Sequence, residues 1–516
     1  MSKQKKSANS SSNSKRDREF FSNQNLKTDL KGRSVRGGAV TILAQGSKFI
    51  IQLGSTALLA RLLTPNDYGL IGMATPMIGF VQLFKDLGLS TATIQRDEIN
   101  HRQVSTLFWI NLGVSAIISL VFAALAPVAA QFYREPRMLQ IVLALSSIFL
   151  IGGLSVQHRA LIKRQMRFGK IAKIEIISVL VGIVAAIVAA YAGWGYWALV
   201  LMQIVTAVVN TLVTWSVCPW RPSLPSRQAG VKSMLAFGGN LTGFNCINYF
   251  SRNLDNILIG QYWGEGQLGL YSKAYQLVLL PIQQINSPVN SVALPLLSRV
   301  QSDRDKYTNY YYKFVLAIVF LGMPIVAFSF AVTDKLILLV LGEQWLDAIP
   351  IFQFLVPAAF MGTFNLASAW VYQSLGRTDR QLRIGIVMSS LDIIIFLISI
   401  RWGAIGVAAA YGLSRPFIWF PRFIYCYQDT PLKLRRLATT LARPSFASIA
   451  AALLVMLLDH MFLSDIPMVL ALVIDGLAYG VLYLGLWAIL PQGKQTLIEL
   501  FRLVNEVKPR KGKKES

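Results

Sequence analysis

Residues 41–59, TILAQGSKFIIQLGSTALL, place Thr41, Gln45, Lys48, Gln52 and Ser55 at successive spacings of 4, 3, 4 and 3. At 3.6 residues per turn these positions share one face, so the segment reads as an apolar helix with a single polar stripe. Two hundred residues on, 241–259 (LTGFNCINYFSRNLDNILI) carries Asn245, Asn248, Arg252 and Asp255 at spacings of 3, 4 and 3. The stripes coincide in register: Gln45 with Asn245, Lys48 with Asn248, Gln52 with Arg252, Ser55 with Asp255. A charged side chain at the centre of a bilayer costs at least about 2.5–3.5 kcal/mol. A helix in lipid keeps such groups where they face water, a partner or a bundle interior.

The register continues outward. Tyr68-Gly69-Leu70 falls opposite Leu268-Gly269-Leu270, Asp86 opposite Asn286, and Ser90 opposite Asn290. A further stripe of Lys273, Gln276, Gln283, Ser287 and Asn290 follows, interrupted by Pro281 and Pro288. Two stretches of similar pattern and equal orientation imply parallel repeats related by an axis along the membrane normal.

A bilayer crossing takes about 20 mostly apolar residues. Fourteen such stretches begin near Gly38, Tyr68, Thr106, Leu139, Ile174, Tyr196, Leu235, Leu270, Lys313, Pro350, Ile384, Ala404, Ser445 and Pro467. The first, seventh and eighth are the least hydrophobic. The expected fold is an all-α integral membrane protein of fourteen transmembrane helices. Spans 1–6 form an N-lobe (36–217) and spans 7–12 a C-lobe (234–425), joined by a Pro-rich cytoplasmic linker (218–233, CPWRPSLPSRQ onward). Spans 13 and 14 (426–490) are additional. Basic tails at 1–35 and 491–516 both lie in the cytoplasm. With the amino terminus inside, 41 of the 50 Lys and Arg residues fall on the inner side. Arg61, Arg134, Arg137, Lys335 and Arg401 fall outside, and Lys48, Arg252, Lys273 and Arg415 within spans. That bias fits the positive-inside rule and an even number of crossings.

Hydrophobic residues make up 54% of the 516 and charged residues 15%, against about 25% charged in soluble domains. The net charge of +25 is concentrated on one membrane face, where it sets topology and attracts anionic lipids. Cys218, Cys246 and Cys426 lack disulfide or metal spacing, and His101, His158 and His460 are scattered. A secreted disulfide scaffold, a metalloenzyme and a nucleic-acid binder are thereby disfavoured. The polar Ser/Asn/Lys-rich tail over 1–35 reads as disordered and not as a signal peptide. Leu497, Phe501 and Val504 share one face of a short interfacial helix near the carboxyl terminus. No loop exceeds about 20 residues, so neither side has room for a catalytic domain. Function is expected within the membrane.

Four blocks together carry a family resemblance: ARLLTPNDYGLIGM, NLDNILIGQYWGEGQLGLYSKAYQLVLLPIQQI, PLLSRVQSDRDKY and LGEQWLDAIPIFQFL. The chain resembles the polysaccharide-export flippases of the multidrug/oligosaccharidyl-lipid/polysaccharide exporter superfamily, in particular the colanic-acid type of O-antigen and exopolysaccharide flippase. The resemblance covers roughly residues 34–490, and the amino-terminal tail departs from the usual pattern. It implies a monomeric, non-enzymatic flippase of the bacterial inner membrane that works without ATPase activity. The cargo implied is an undecaprenyl-diphosphate-linked oligosaccharide, moved to the outer leaflet by alternating access. Spans 1, 2, 7 and 8 would line the cavity and the last two spans would be peripheral; polysaccharide polymerase machinery is the expected protein partner.

Such a cargo calls for cations at its diphosphate and amides or hydroxyls at its sugars. Lys48, Arg252 and Lys273 supply the first, with Arg gripping phosphate bidentately and Lys acting as a point charge. Gln45, Gln52, Asn245, Asn248, Gln276 and Gln283 supply the second. Alternatives stand beside these roles. The stripes can be hydrogen-bonding glue in a dry bundle, Asp255 the i, i+3 partner of Arg252, and Lys273 a residue that snorkels to the interface. Coupling to a proton or sodium ion, without a bound cofactor or metal, has Asp86, Asp255 and Asp392 as candidates, then Asp459 and Asp475. Asp392 and Asp475 stand isolated in apolar sequence, as functional carboxylates or as protonated structural acids. A peptidoglycan-precursor (lipid II) flippase shares the charge logic. A multidrug exporter of organic cations needs carboxylates and aromatics instead.

Overall fold

The computed structural model describes residues 30–82, 99–225, 232–463 and 466–491, together with Ser90, Thr93, Ile94, Gly493 and Gln495. The side chains of 30–44, of 232–248 and of 250–252 lie outside the described residues. So do most of the two tails, including Leu497, Phe501 and Val504.

All regular structure among the described residues is helical. In chain order the helices are α1 (Leu30–Leu62), α2 (Pro65–Gln82), α3 (His101–Ala124), α4 (Ala126–Tyr133), α5 (Arg137–Gly153), α6 (Val156–Arg164), α7 (Phe168–Tyr191) and α8 (Tyr196–Val217). Then follow α9 (Lys232–Arg299), α10 (Arg304–Ala331), α11 (Thr333–Val340), α12 (Ala348–Gly362), α13 (Asn365–Ser374), α14 (Thr378–Ser399), α15 (Gly403–Tyr427), α16 (Leu434–Leu458) and α17 (Met468–Ile489). The ends are written into the sequence. Thr64 and Asp67 cap α2 reciprocally, the Thr64 amide donating to Asp67 Oδ2 at 2.9 Å and the Asp67 amide to Thr64 Oγ1 at 3.3 Å. Asn100 and Gln103 form a capping box at α3, and Asp303 caps α10. The run α9 is two helices merged at Gly264, whose φ of +79° needs a residue without a Cβ.

Eight helical runs among the described residues are long and apolar enough to cross a membrane, nine if the bent pair α5–α6 counts as one broken span. One of the eight, Thr378–Tyr427, contains both α14 and α15, each long enough to cross by itself. The runs α1, α2 and α9 are not among them. The polar stripes on α1 and α9 lower their apolarity, as the sequence indicates.

The chain divides into two compact units, residues 1–266 and 267–516. In the first, α7 packs along α8, α3 along α5, and α5 along α8, while α1 lies on α7. Small residues let these axes approach in lipid: a Cβ on Gly182 of α7 would run into Thr206 and the Met202 carbonyl of α8. The start of the Pro-rich segment after α8 is packed in, with Cys218 and Trp220 buried beside Phe108, Leu161 and Ile174. His158 stacks on Trp215 in the same cluster, ring centroids 4.5 Å apart.

In the second unit the same order of long and short helices recurs, at offsets of 203 to 211 residues from α3, α5, α7 and α8. The pairings recur as well: α14 along α15, α10 along α12, and α12 along α15. Gly412 of α15 lies directly on the Phe354 carbonyl of α12. The last two helices have no counterpart in the first unit. Tyr479, Tyr483 and Trp487 form one face of α17 that meets Phe320 and Phe328 of α10. Their polar tips are satisfied, Tyr483 donating to the Phe320 carbonyl at 2.9 Å and Tyr479 to the Ser448 carbonyl at 3.2 Å. The opposite face of α17 exposes Leu477, Val481 and Leu484, the side a helix at the edge of a bundle turns to lipid.

Candidate functional site

A cavity of about 740 Å³ opens within the first unit, walled by α1, α5, α6, α7 and α8. The break between α5 and α6 shapes it. The two helices bend by 43° at residues 154–155, which frees carbonyl groups that neighbouring side chains take up. Thr211 Oγ1 donates to the Ile151 carbonyl at 3.0 Å, and Trp215 Nε1 to the Leu154 carbonyl at 2.8 Å. Irregular backbone at membrane depth is tolerated where it is satisfied in this way and lines a cavity.

Three cations face the space: Lys48 from α1, and Arg159 and Lys163 one turn apart on α6. Amides and hydroxyls join them, notably Gln52 and Ser55 of α1 and Gln203, Thr206 and Asn210 of α8. Apolar walls come from Ile148, Val179, Ile183 and Met202. Glu175 on α7 stands beside this lining and spans two of the cations. Its Oε2 is ion-paired with Lys48, and its Oε1 accepts from Arg159 Nη2 at 2.7 Å. Arg159 Nη1 also reaches Asn210 Oδ1 at 3.3 Å. The paired side chains are 26–31% exposed, a setting in which an ion pair contributes on the order of 1 kcal/mol or less. Among the described residues three cations stand against one carboxylate, a positive balance, and the pairs that partly neutralise it are exchangeable.

The stripe expected on α1 is therefore partly assembled: Lys48, Gln52 and Ser55 share this cavity, while Gln45 is half-buried one turn earlier and is not among its lining. Asn245, Asn248 and Arg252 sit on α9 with side chains outside the described residues, and Asp86 lies outside them altogether. Asp255 is buried, its Oδ1 accepting the Asn256 amide at 2.8 Å. In the second unit Lys273 is buried and donates to Gln276 Oε1 at 3.1 Å, whereas Gln283 is exposed.

Two carboxylates expected to be isolated are not. Asp392 accepts from Arg415 Nη2 at 2.6 Å, and that guanidinium also covers the Tyr411 ring at 3.8 Å. Asp475, 1% exposed, accepts from Lys335 Nζ at 2.7 Å, and Lys335 is also paired with Asp459. Helix packing brings these partners together from positions 23 to 140 residues apart, a proximity that hydropathy along one span does not show. Among the described residues no group of three or more His, Cys, Asp or Glu side chains is placed to hold a metal ion.

Glu175, Arg159, Lys163, Gln203 and Asn210 are not among the candidates that stand out in the sequence. Arg159 and Lys163 counted as topology-setting charges. A signal for Glu175 was present: it is the only acidic residue between Glu135 and Asp255.

Residues 58–350 match the family described as polysaccharide biosynthesis protein. The chain belongs to that family. Among relatives, it is 27% identical over 332 residues to the teichuronic acid biosynthesis protein TuaB of Bacillus subtilis, covering 64% of this chain and 69% of that one. It is 26% identical to the lipopolysaccharide biosynthesis protein WzxC of Escherichia coli, over 74% of this chain and 78% of that one. With the succinoglycan biosynthesis transport protein ExoT of Rhizobium meliloti it shares 24% identity over 91% and 95% of the two chains. The fold is that of an inward-closed structure of the lipid II flippase MurJ, with a TM-score of 0.68 at 12% identity over 87% of this chain and 98% of that one. An inward-facing MATE-family multidrug transporter matches with a TM-score of 0.58 at 15% identity, over 77% and 98%. This member of the polysaccharide biosynthesis family is thus a multi-pass integral membrane protein with a transporter fold.

Proposed function

We propose that the protein is a flippase of the bacterial inner membrane that carries an undecaprenyl-diphosphate-linked oligosaccharide from the cytoplasmic to the outer leaflet. The observation that carries this reading is the cationic cavity of the first unit, where among the described residues Lys48, Arg159 and Lys163 face one carboxylate, Glu175. A diphosphate linked at both ends keeps one negative charge on each phosphorus, and such charge-assisted contacts are the strong ones. Amides and hydroxyls in the same cavity suit sugar hydroxyls, and its apolar walls suit the start of a lipid chain. Organic cations would meet repulsion there, which disfavours a multidrug exporter.

Relatives named for teichuronic acid, lipopolysaccharide and succinoglycan support a secreted glycan over a peptidoglycan precursor. The reading includes fourteen crossings with both termini in the cytoplasm, lobes at 36–217 and 234–425 and peripheral spans at 426–490. It also includes alternating access by a monomer coupled to a proton or sodium gradient, beside anionic lipids and the polymerase machinery. Arg252 and Lys273 would add to the phosphate contacts, and Gln45, Gln52, Asn245, Asn248, Gln276 and Gln283 to those with sugar.

Reconstitution tests the reading. Proteoliposomes holding a fluorescent undecaprenyl-diphosphate oligosaccharide should expose its glycan to an external glycosidase faster than protein-free vesicles, in a gradient-dependent way. Equal rates with and without the protein would contradict it.

A further inference from the structure

We propose that Glu175 is a built-in competitor for the cargo's phosphates, which a diphosphate displaces and a monophosphate does not. The inference rests on the flippase reading and specifies its phosphate site. Glu175 divides its two oxygens between two cations on different helices, Oε2 with Lys48 of α1 and Oε1 with Arg159 of α6. Both cations line the cavity, whereas the carboxylate stands beside the lining on α7. The cavity thus already satisfies two of its cations with an anion of the protein's own.

An incoming anion must offer at least what it displaces. A monophosphate ester can at best take over the two contacts the carboxylate already makes, with little net gain. A diphosphate spans both with charge to spare, and Lys163 at the exposed end of the same face adds a third contact. The competitor therefore sharpens discrimination at the expense of affinity, a way of building specificity by opposing the wrong ligand. It also ties cargo occupancy to structure, because the carboxylate that joins α1 to α7 lets go of Lys48 when the diphosphate arrives.

The test uses the full-length protein in nanodiscs, with farnesyl diphosphate and farnesyl monophosphate as probes and binding followed by calorimetry. Removing the competitor by Glu175→Gln should tighten farnesyl diphosphate binding about tenfold, since two partly exposed ion pairs no longer have to be broken. Monophosphate binding should tighten by more, so the preference for diphosphate shrinks. Glu175→Asp, whose shorter side chain cannot span both cations, should shift both affinities in the same direction by a smaller factor and guards against misfolding of the first variant. Equal or weaker diphosphate binding in both variants, with the wild-type preference retained, would overturn the inference and leave the flippase reading standing. Failure of the wild type and both variants to bind farnesyl diphosphate would overturn the inference and the placement of the cargo's phosphates together.

Discussion

Two charge clusters, one in each unit, obey opposite arithmetic. In the first, one carboxylate, Glu175, serves two cations, and a third, Lys163, faces the same cavity. In the second, one lysine, Lys335, serves two carboxylates, Asp459 and Asp475, and Arg415 is matched one to one by Asp392. The setting differs too. The Glu175 pairs are about a quarter exposed throughout on a cavity, whereas the second unit's clusters each contain one deeply buried member, Asp475 at 1% and Arg415 at 5%. Excess charge beside open space is available to a ligand. Charge enclosed by packing fixes helices to one another, and there the loss of one partner costs more than the pair contributes. Charges within spans therefore carry two meanings, separated by the count of partners and the space around them.

The sharpest way to break this contrast is to neutralise the first unit's surplus. Lys48→Gln combined with Arg159→Gln should lower polysaccharide export per inserted protein on the order of a hundredfold, with the melting temperature nearly unchanged. Export at the wild-type level would remove the distinction. In the second unit the effects should be reversed. Lys335→Met strands the buried Asp475 and should cost about 3–5 kcal/mol of stability, while export per folded molecule stays normal. The double variant Lys335→Met/Asp475→Leu should regain most of that loss, as followed by thermal unfolding in detergent.

Packing supplies a smaller difference. Gly412→Ala drives a Cβ into the Phe354 carbonyl and should cost about 1–3 kcal/mol. Gly54→Ala on α1, with nothing within 4 Å of the added carbon, should be close to neutral by the same melt.

The smallest effect is a pH dependence outside the membrane. Arg137 donates to both carboxyl oxygens of Glu135 and holds its titration below the usual carboxylate range. A depressed folded pKa means that the contribution is fully present above the unfolded value, about 4.3. It is lost as pH falls through the lowered one. Melting should show this acid-side loss below about pH 4, and Arg137→Gln should shrink it.

Much of this was readable from residues, for physical reasons that also set the limit. A polar stripe at helical period stands out in apolar sequence, so Lys48, Gln52 and Ser55 were legible as one face and do share a cavity. What stayed hidden depends on neighbours far apart in the chain. Glu175 lies 127 residues from Lys48, and Lys335 lies 140 from Asp475. Helix packing alone makes those pairs, which is why Asp392 and Asp475 read as solitary acids. Arg159 and Lys163 were hidden differently: they obey the positive-inside pattern, and that bland role absorbed them until the bend between α5 and α6 turned them onto the cavity.

One measurement addresses most directly whether the first unit's cavity is wet and takes the cargo's phosphates. Asn210→Cys and Ser55→Cys place thiols on two helices that line the cavity, and a water-soluble maleimide reports their access in inverted membrane vesicles. Both positions should label above the wild-type background, and undecaprenyl diphosphate should slow that labelling while undecanol does not. Thiols sealed from the reagent, or labelled at one rate with and without the lipid diphosphate, would contradict the account.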